Sequence, residues 1–131
     1  MRDLKRRVRE PAPVKRSDAA RQAQRSGSSW EHAVIDLARW SGWRVASFRS
    51  VRVQRRDGST YYATPVQADG EGFPDLVLAR DERLLFRELK VGKAVLSLAQ
   101  ERWLRDLRDA GADVGVWRDT DIDAIVRELR R

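Results

Sequence analysis

Three polar residues, Asp75, Glu88 and Lys90, interrupt runs that are otherwise mostly apolar. The run from Leu84 to Lys90 reads as a β-strand, in which side chains alternate between faces. Leu84, Phe86, Glu88 and Lys90 therefore share one side, and Leu85, Arg87 and Leu89 the other. Asp75 follows Pro74 and opens a second short run to Ala79. Only Arg80-Asp81-Glu82-Arg83 separates the two runs, which predicts an antiparallel pair with Asp75 and Glu88 converging near one end. Two carboxylates a few ångströms apart are stable only with a cation between them or a shared proton. Hard Mg²⁺ accepts one or two carboxylates together with water and phosphate oxygens, and a bound cation makes water a better nucleophile. Lys90, on the face of Glu88, is placed to orient or deprotonate that water or to stabilise charge developing on a phosphate. The chemistry open to this set is metal-assisted phosphodiester hydrolysis. The same spacing fits a surface ion pair at a strand end equally well.

Two helical positions bear on the choice. At about 100° per residue, Glu31 falls between Ala38 and Ile35 at the flank of an apolar face, turned toward a sheet. His32 falls on the polar side, as a surface histidine would. Gln100 falls inside the stripe of Trp103, Leu104 and Leu107, so it is expected to be partly buried and to need a hydrogen-bond partner. Both positions also suit a purely structural role. Ser28 with Glu31, and Ser97 with Gln100, have the spacing of capping boxes, so capping and a place in a site stand side by side for each.

The elements that must position these residues follow from periodicity. Trp30, Ala33, Val34, Leu37 and Ala38 recur at helical spacing, predicting a helix that starts at a Ser28 cap and ends near Ser41-Gly42. A loosely alternating segment 45–53, a turn at Arg55-Arg56-Asp57-Gly58-Ser59 and a strand-like segment 60–66 predict a hairpin. After the pair at 75–79 and 84–90 come a helix over 97–110 stopped by Gly111, a strand at 114–117 and a last helix at 122–129. The helix over 97–110 can serve as a crossover between the strands at 84–90 and 114–117. The expected class is therefore α/β with one mixed sheet.

A chain of 131 residues suits one domain, and 36% charged against 41% hydrophobic residues describes a core beneath a heavily ionic surface. No cysteine and one histidine exclude disulfide frameworks and thiolate or imidazole-rich metal sites, so any metal must be held by oxygen. No run approaches the about 18 uncharged residues of a membrane span, and the start of the chain lacks a signal-type apolar block. A soluble, intracellular protein with neither a membrane nor a nucleotide cofactor as partner is expected. The net charge of +7 is uneven: residues 1–29 hold nine Lys or Arg against three acids, and the remainder 18 against 17. With Pro11, Pro13 and few large apolar side chains, 1–29 is expected to be a mobile, polyanion-seeking arm ahead of a domain over 30–131. Arg44, Arg49, Arg52, Arg55 and Arg56 form a second basic cluster, suited to nucleic acid or to a solvated hairpin edge.

In their order, Gly72-Phe73-Pro74-Asp75-Leu76-Val77-Leu78, Leu85-Phe86-Arg87-Glu88-Leu89-Lys90 and Ser97-Leu98-Ala99-Gln100 resemble the VRR-NUC branch of the PD-(D/E)xK nuclease superfamily. The likeness covers roughly residues 30–120 and is greatest to stand-alone forms frequent in bacteriophage genomes. The resemblance implies a restriction-endonuclease-like αβββαβ core, with a mixed central sheet flanked by helices. It implies Mg²⁺- or Mn²⁺-dependent endonuclease cleavage of DNA, selective for branched, flapped or junction structures rather than for sequence. It also implies roles: Asp75 and Glu88 as metal ligands, the Leu89 carbonyl as a backbone ligand, Glu31 completing the metal shell, Lys90 as the catalytic lysine and Gln100 as a helper. A homodimer like that of junction resolvases, and a place in the host cytoplasm, belong to the same implication. The arm and the terminal helix lie outside the likeness. The competing readings are a non-catalytic nucleic-acid-binding module on the same fold, and an interaction protein whose arm docks on an acidic partner.

Overall fold

The computed structural model of the protein describes residues 18–49, 51–63 and 66–131. Helix α1 (Asp18–Trp40) is followed by strands β1 (Arg44–Ser47), β2 (Val51–Gln54), β3 (Thr60–Ala63), β4 (Leu76–Arg80) and β5 (Arg83–Lys90). Helix α2 (Leu98–Asp109), strand β6 (Asp113–Arg118), a 3₁₀ turn (Asp119–Asp121) and helix α3 (Ile122–Arg130) complete the order. Four strands form one mixed sheet, β1-β4-β5-β6, and β2 pairs with β3 in a separate hairpin. The first two pairings of the large sheet are antiparallel and β5 runs parallel to β6, with α2 as the expected crossover. The order α1, β1, β4, β5, α2, β6 is an αβββαβ core, with the hairpin inserted between β1 and β4. Among the described residues no helix is long and apolar enough to cross a membrane.

Two expectations are corrected. Helix α1 begins at Asp18, so residues 18–29, assigned on sequence to the arm, are helical. Residues 19–25 are Ala, Gln and Arg only, with high intrinsic helix propensity that a reading based on polarity undervalues, and the helix continues through Ser26-Gly27-Ser28-Ser29 against their weaker propensity. Ser28 then lies within the helix rather than at its start, and the cap position expected there, with its orphan N–H groups, does not exist. The expectation of a mobile arm over residues 1–17 lies outside the described residues. The segment 45–53 is also two strands rather than one: β1 joins the large sheet, Val45 opposite Leu78, and only β2 enters the hairpin. The backbone N–H of Phe48 donates to the Asp75 carbonyl (2.8 Å) just before the chain turns away.

One face of the sheet carries the main core. Leu76, Leu78, Leu85 and Trp117 pack there under Trp30, Val34 and Ala38 of α1 and Ile125 and Leu129 of α3. Trp43 joins them and donates its indole N–H to the Leu129 carbonyl (2.8 Å), while the Trp30 indole donates to the Trp117 carbonyl (3.2 Å). Arg80 donates to the Leu129 carbonyl (2.6 Å) and Arg83 to that of Glu128 (3.3 Å). The hairpin turn of β4 and β5 thereby caps the carbonyl end of α3 with positive charge. On the opposite face Phe73 meets Phe48, Phe86 and Trp103 edge-on, at 5.4, 6.2 and 5.1 Å between ring centres. This aromatic nucleus pins the Gly72 to Asp75 turn against β5 and α2.

Arg87 belongs to the core face and is buried. Its guanidinium donates to the carboxylates of Asp113 (2.7 Å) and Glu128 and to the carbonyls of Phe86 and Asp113 (2.9 Å each). It ties β5 to β6 and to α3. Arg87→Ala leaves Glu128 without its counter-charge and is expected to destabilise the fold toward the lower end of about 3–5 kcal/mol, because Asp113 is half exposed. Urea unfolding measures the difference, and a loss below about 1 kcal/mol, the scale of an exposed pair, would contradict the clamp.

Candidate active site

The register that pairs Leu76 with Arg87 sets Asp75 across from Glu88, one step further along. The convergence expected from the short turn is therefore present. Asp75 Oδ2 accepts a hydrogen bond from the Leu89 N–H (2.9 Å), and the carboxyl groups of Asp75 and Glu88 hydrogen-bond each other. Glu88 is only 2% exposed. Burial first, then the charge of Asp75 and the hydrogen bond to it, push the Glu88 pKa up to about 8, and the Lys90 ammonium offsets part of that rise. Burial raises Asp75 as well, against the Leu89 N–H that lowers it. Without a cation the pair retains a proton at neutral pH.

Helix α2 contributes the third polar group. Its first turn is closed by a capping box, in which the Gln100 N–H donates to Ser97 Oγ (3.1 Å) and the Ser97 N–H donates to Gln100 Oε1 (2.9 Å). The other end of the same amide, Nε2, donates to Glu88 Oε1 (2.9 Å). The two roles left open by the sequence are thus filled at once. The loop before Asp75 meets this helix at Gly72, whose φ is +82° and whose added Cβ would lie 2.4 Å from the Ala99 carbonyl carbon. Only glycine permits so close an approach. Gln100→Met, which removes the donor to Glu88, is expected to weaken Mn²⁺ binding about 10–100-fold by calorimetry. Ser97→Ala breaks the cap alone, so it is expected to cost about 1 kcal/mol of stability and leave the affinity unchanged. Equal effects of the two variants on affinity would refute the division of roles.

Glu31 arrives from α1, which covers the other face of the sheet, and is buried. Ser47 Oγ donates to its Oε1 (2.6 Å) and Arg49 Nη1 to its Oε2 (2.7 Å). Ser47, a polar residue at the end of β1, was not singled out on sequence, because its partner lies on an element whose packing the strand pattern does not reveal. Glu31, Asp75, Glu88, Leu89, Lys90 and Gln100 all line one cleft of about 390 Å³, together with Arg49. Of the basic cluster, only Arg49 reaches this cleft. Arg44 is exposed on β1, while Arg52, Arg55 and Arg56 ride on the β2–β3 hairpin. Arg55 lies over the Tyr61 ring at 4.2 Å, and Nε and Nη1 of Arg52 are buried without a hydrogen-bond partner. His32 is exposed, as expected.

Among the described residues no three His, Cys, Asp or Glu side chains form a group able to hold a metal ion. The acidic set is a pair, with Glu31 engaged by Arg49 and Ser47. Such a pair suits a hard divalent cation that takes one or two carboxylates and completes its shell with water and phosphate. The proton that Asp75 and Glu88 retain occupies the electrostatic role that this cation would fill.

Residues 51–120, just over half of the chain, match the family model described as the VRR-NUC domain. No curated protein and no solved structure matches the chain.

Proposed function

The chain belongs to the VRR-NUC domain family, and from that membership and the geometry of the cleft we propose that it is a metal-dependent endonuclease that hydrolyses DNA phosphodiester bonds. The observation that carries this reading is the Asp75–Glu88 pair, half-buried at Asp75 and buried at Glu88 and short of one positive charge, with Lys90 on the same face in an open cleft. Mg²⁺ or Mn²⁺ held by Asp75 and Glu88, with the Leu89 carbonyl and Glu31 beside them, would polarise the scissile phosphate and lower the pKa of a water. The remaining work falls to side chains. The Leu89 N–H and the Gln100 amide fix the two carboxylates in orientation. Lys90 orients the attacking water or neutralises charge that builds on the phosphate. Arg49, two-fifths exposed and paired with Glu31, is positioned to exchange that partner for a backbone phosphate, and the exposed hairpin residues Arg55 and Arg56 add further positive charge for the backbone.

The substrate in this reading is branched, flapped or junction DNA rather than a base sequence. One chain supplies one cleft, so paired cuts across a junction require a second copy. The test incubates the protein with labelled linear, flapped and four-way-junction DNA in Mg²⁺, in Mn²⁺ and in EDTA. Cutting that needs the metal and favours the branched substrates is the expected result. Tight, salt-sensitive binding without cutting in any metal would instead identify a non-catalytic nucleic-acid-binding module.

A further inference from the structure

The segment that links β5 to α2 separates two concavities. Val91, Ala94 and Gln100 line the carboxylate cleft, whereas Leu98 and Ala99 line a neighbouring cavity of about 560 Å³. On the ridge between them stand two large apolar side chains that touch little protein, Val95 at 83% and Leu98 at 85% exposure. Single exposed apolar residues are ordinary, but two together beside a polar cleft mark a contact surface. The ridge is also firmly held. Arg118 Nη1 donates to the carbonyls of Gly92 (3.0 Å) and Ala94 (2.7 Å), and the Gly92 N–H donates to Asp119 Oδ1 (2.7 Å). These bonds anchor the loop to the end of β6, so the two apolar tips are presented from a braced support.

We infer that Val95 and Leu98 form a wedge that packs against an unstacked base beside the scissile phosphate, and so select DNA at a strand discontinuity. The inference rests on the nuclease reading above and deepens it by naming what the cleft recognises. Charge on the two sides of the ridge fixes the direction of the strand. The cleft sets two cations, Lys90 and Arg49, against the carboxylates of Glu31, Asp75 and Glu88, while the neighbouring cavity sets a single cation, Arg102, against Asp69, Glu71 and Asp106. The cavity repels a phosphate backbone more than the cleft does, where Lys90 and Arg49 can each meet a phosphate oxygen, so the backbone belongs on the cleft side and a base, neutral and apolar on its faces, over the ridge. Aliphatic wedges inserted at base steps act in this way in architectural proteins. Unstacking requires least energy where pairing is already interrupted, and that difference is the source of selectivity.

The test uses the full chain and DNA carrying 2-aminopurine, whose fluorescence rises on unstacking, at the branch point of a flapped duplex and at the matching position of a linear duplex. In EDTA, wild type is expected to raise the signal severalfold on the flap only. The double variant Val95→Ser/Leu98→Ser should lose that rise and, because the apolar contact with the base is lost, lose about tenfold or more in preference for the flap over linear DNA. Its affinity for the linear duplex should stay the same. Val95→Ile/Leu98→Met, which keeps the apolar volume, should retain both. No rise with wild type, or an undiminished rise and preference in the serine variant, would overturn the wedge. A separate arm with Mg²⁺ scores cleavage. Fluorescence response without cutting would remove the nuclease reading and leave the wedge standing, while cutting without response would remove the wedge alone.

Discussion

In the proposed reaction, Asp75→Asn is expected to reduce metal-dependent DNA cleavage by about 10³-fold or more, since several kcal/mol of charge stabilisation at the phosphate would depend on a cation that Asp75 helps to hold. The substitution is chosen because the Asn amide oxygen can still accept the Leu89 N–H that Asp75 accepts now. The strand register and the fold therefore persist, and the loss reports charge rather than structure. Asp75→Ala removes the acceptor as well and should add a stability defect of about 1–3 kcal/mol from the orphaned N–H. Binding to the same DNA in EDTA should be equal or tighter in the Asn variant, because one negative charge has left the cleft that meets the phosphates. Lys90→Ala should likewise abolish most turnover with little effect on metal affinity, which separates a group acting on water or phosphate from a ligand. An Asn variant cutting at half the wild-type rate, in single-turnover assays with saturating metal, would show that Asp75 is not a ligand in the reacting complex.

The second large effect concerns stability in the absence of metal. Glu88 has a folded pKa of about 8, above the ordinary glutamate value of 4.5, so between these values the folded state holds a proton that the unfolded chain has released. Stability contributed in this way is complete below the lower value, declines as pH rises and is lost above the higher one. Each pH unit that separates the folded from the unfolded pKa is worth about 1.4 kcal/mol, so the metal-free protein should lose on the order of a few kcal/mol between about pH 5 and about pH 8.5. Glu88→Gln is neutral at every pH, can donate to Asp75 and can still accept from Gln100. It should flatten this dependence and raise the melting temperature near pH 8.5 by on the order of 10 °C relative to wild type. Mg²⁺ should stabilise wild type increasingly as pH rises, because it binds the ionised pair, and should leave the Gln variant almost unchanged. Thermal melts across this pH range, with and without Mg²⁺, give the comparison. Parallel curves for the two proteins would exclude a shared proton between Asp75 and Glu88.

The placement of Arg49 connects these effects to substrate entry. Its guanidinium lowers the pKa of Asp75 by Coulomb attraction and at the same time neutralises Glu31. A phosphate that drew Arg49 away would release a carboxylate at the edge of the cleft as it arrived. The negative charge available to a cation would then increase at the moment when DNA brings its own negative charge to share it.

The local chemistry was legible in the residues. Alternation along 84–90 put Glu88 and Lys90 on one face, and a four-residue separation between two short apolar runs forced Asp75 to its side, because side-chain direction and tight-turn reach depend on only a few covalent links. The helical wheel likewise turned Gln100 inward, and its spacing from Ser97 announced the capping box that forms. What tertiary structure alone decided is which groups meet across elements. Glu31 meets Ser47 and Arg49, sixteen and eighteen residues away, because α1 crosses the end of β1. Arg87 became a buried clamp because α3 delivers Glu128 to it from 41 residues further on. The sequence shows a charge in a strand but not the helix that will cover it. Periodicity fixes the direction in which a side chain leaves its own backbone; the packing of whole helices on the sheet fixes what that side chain finds there.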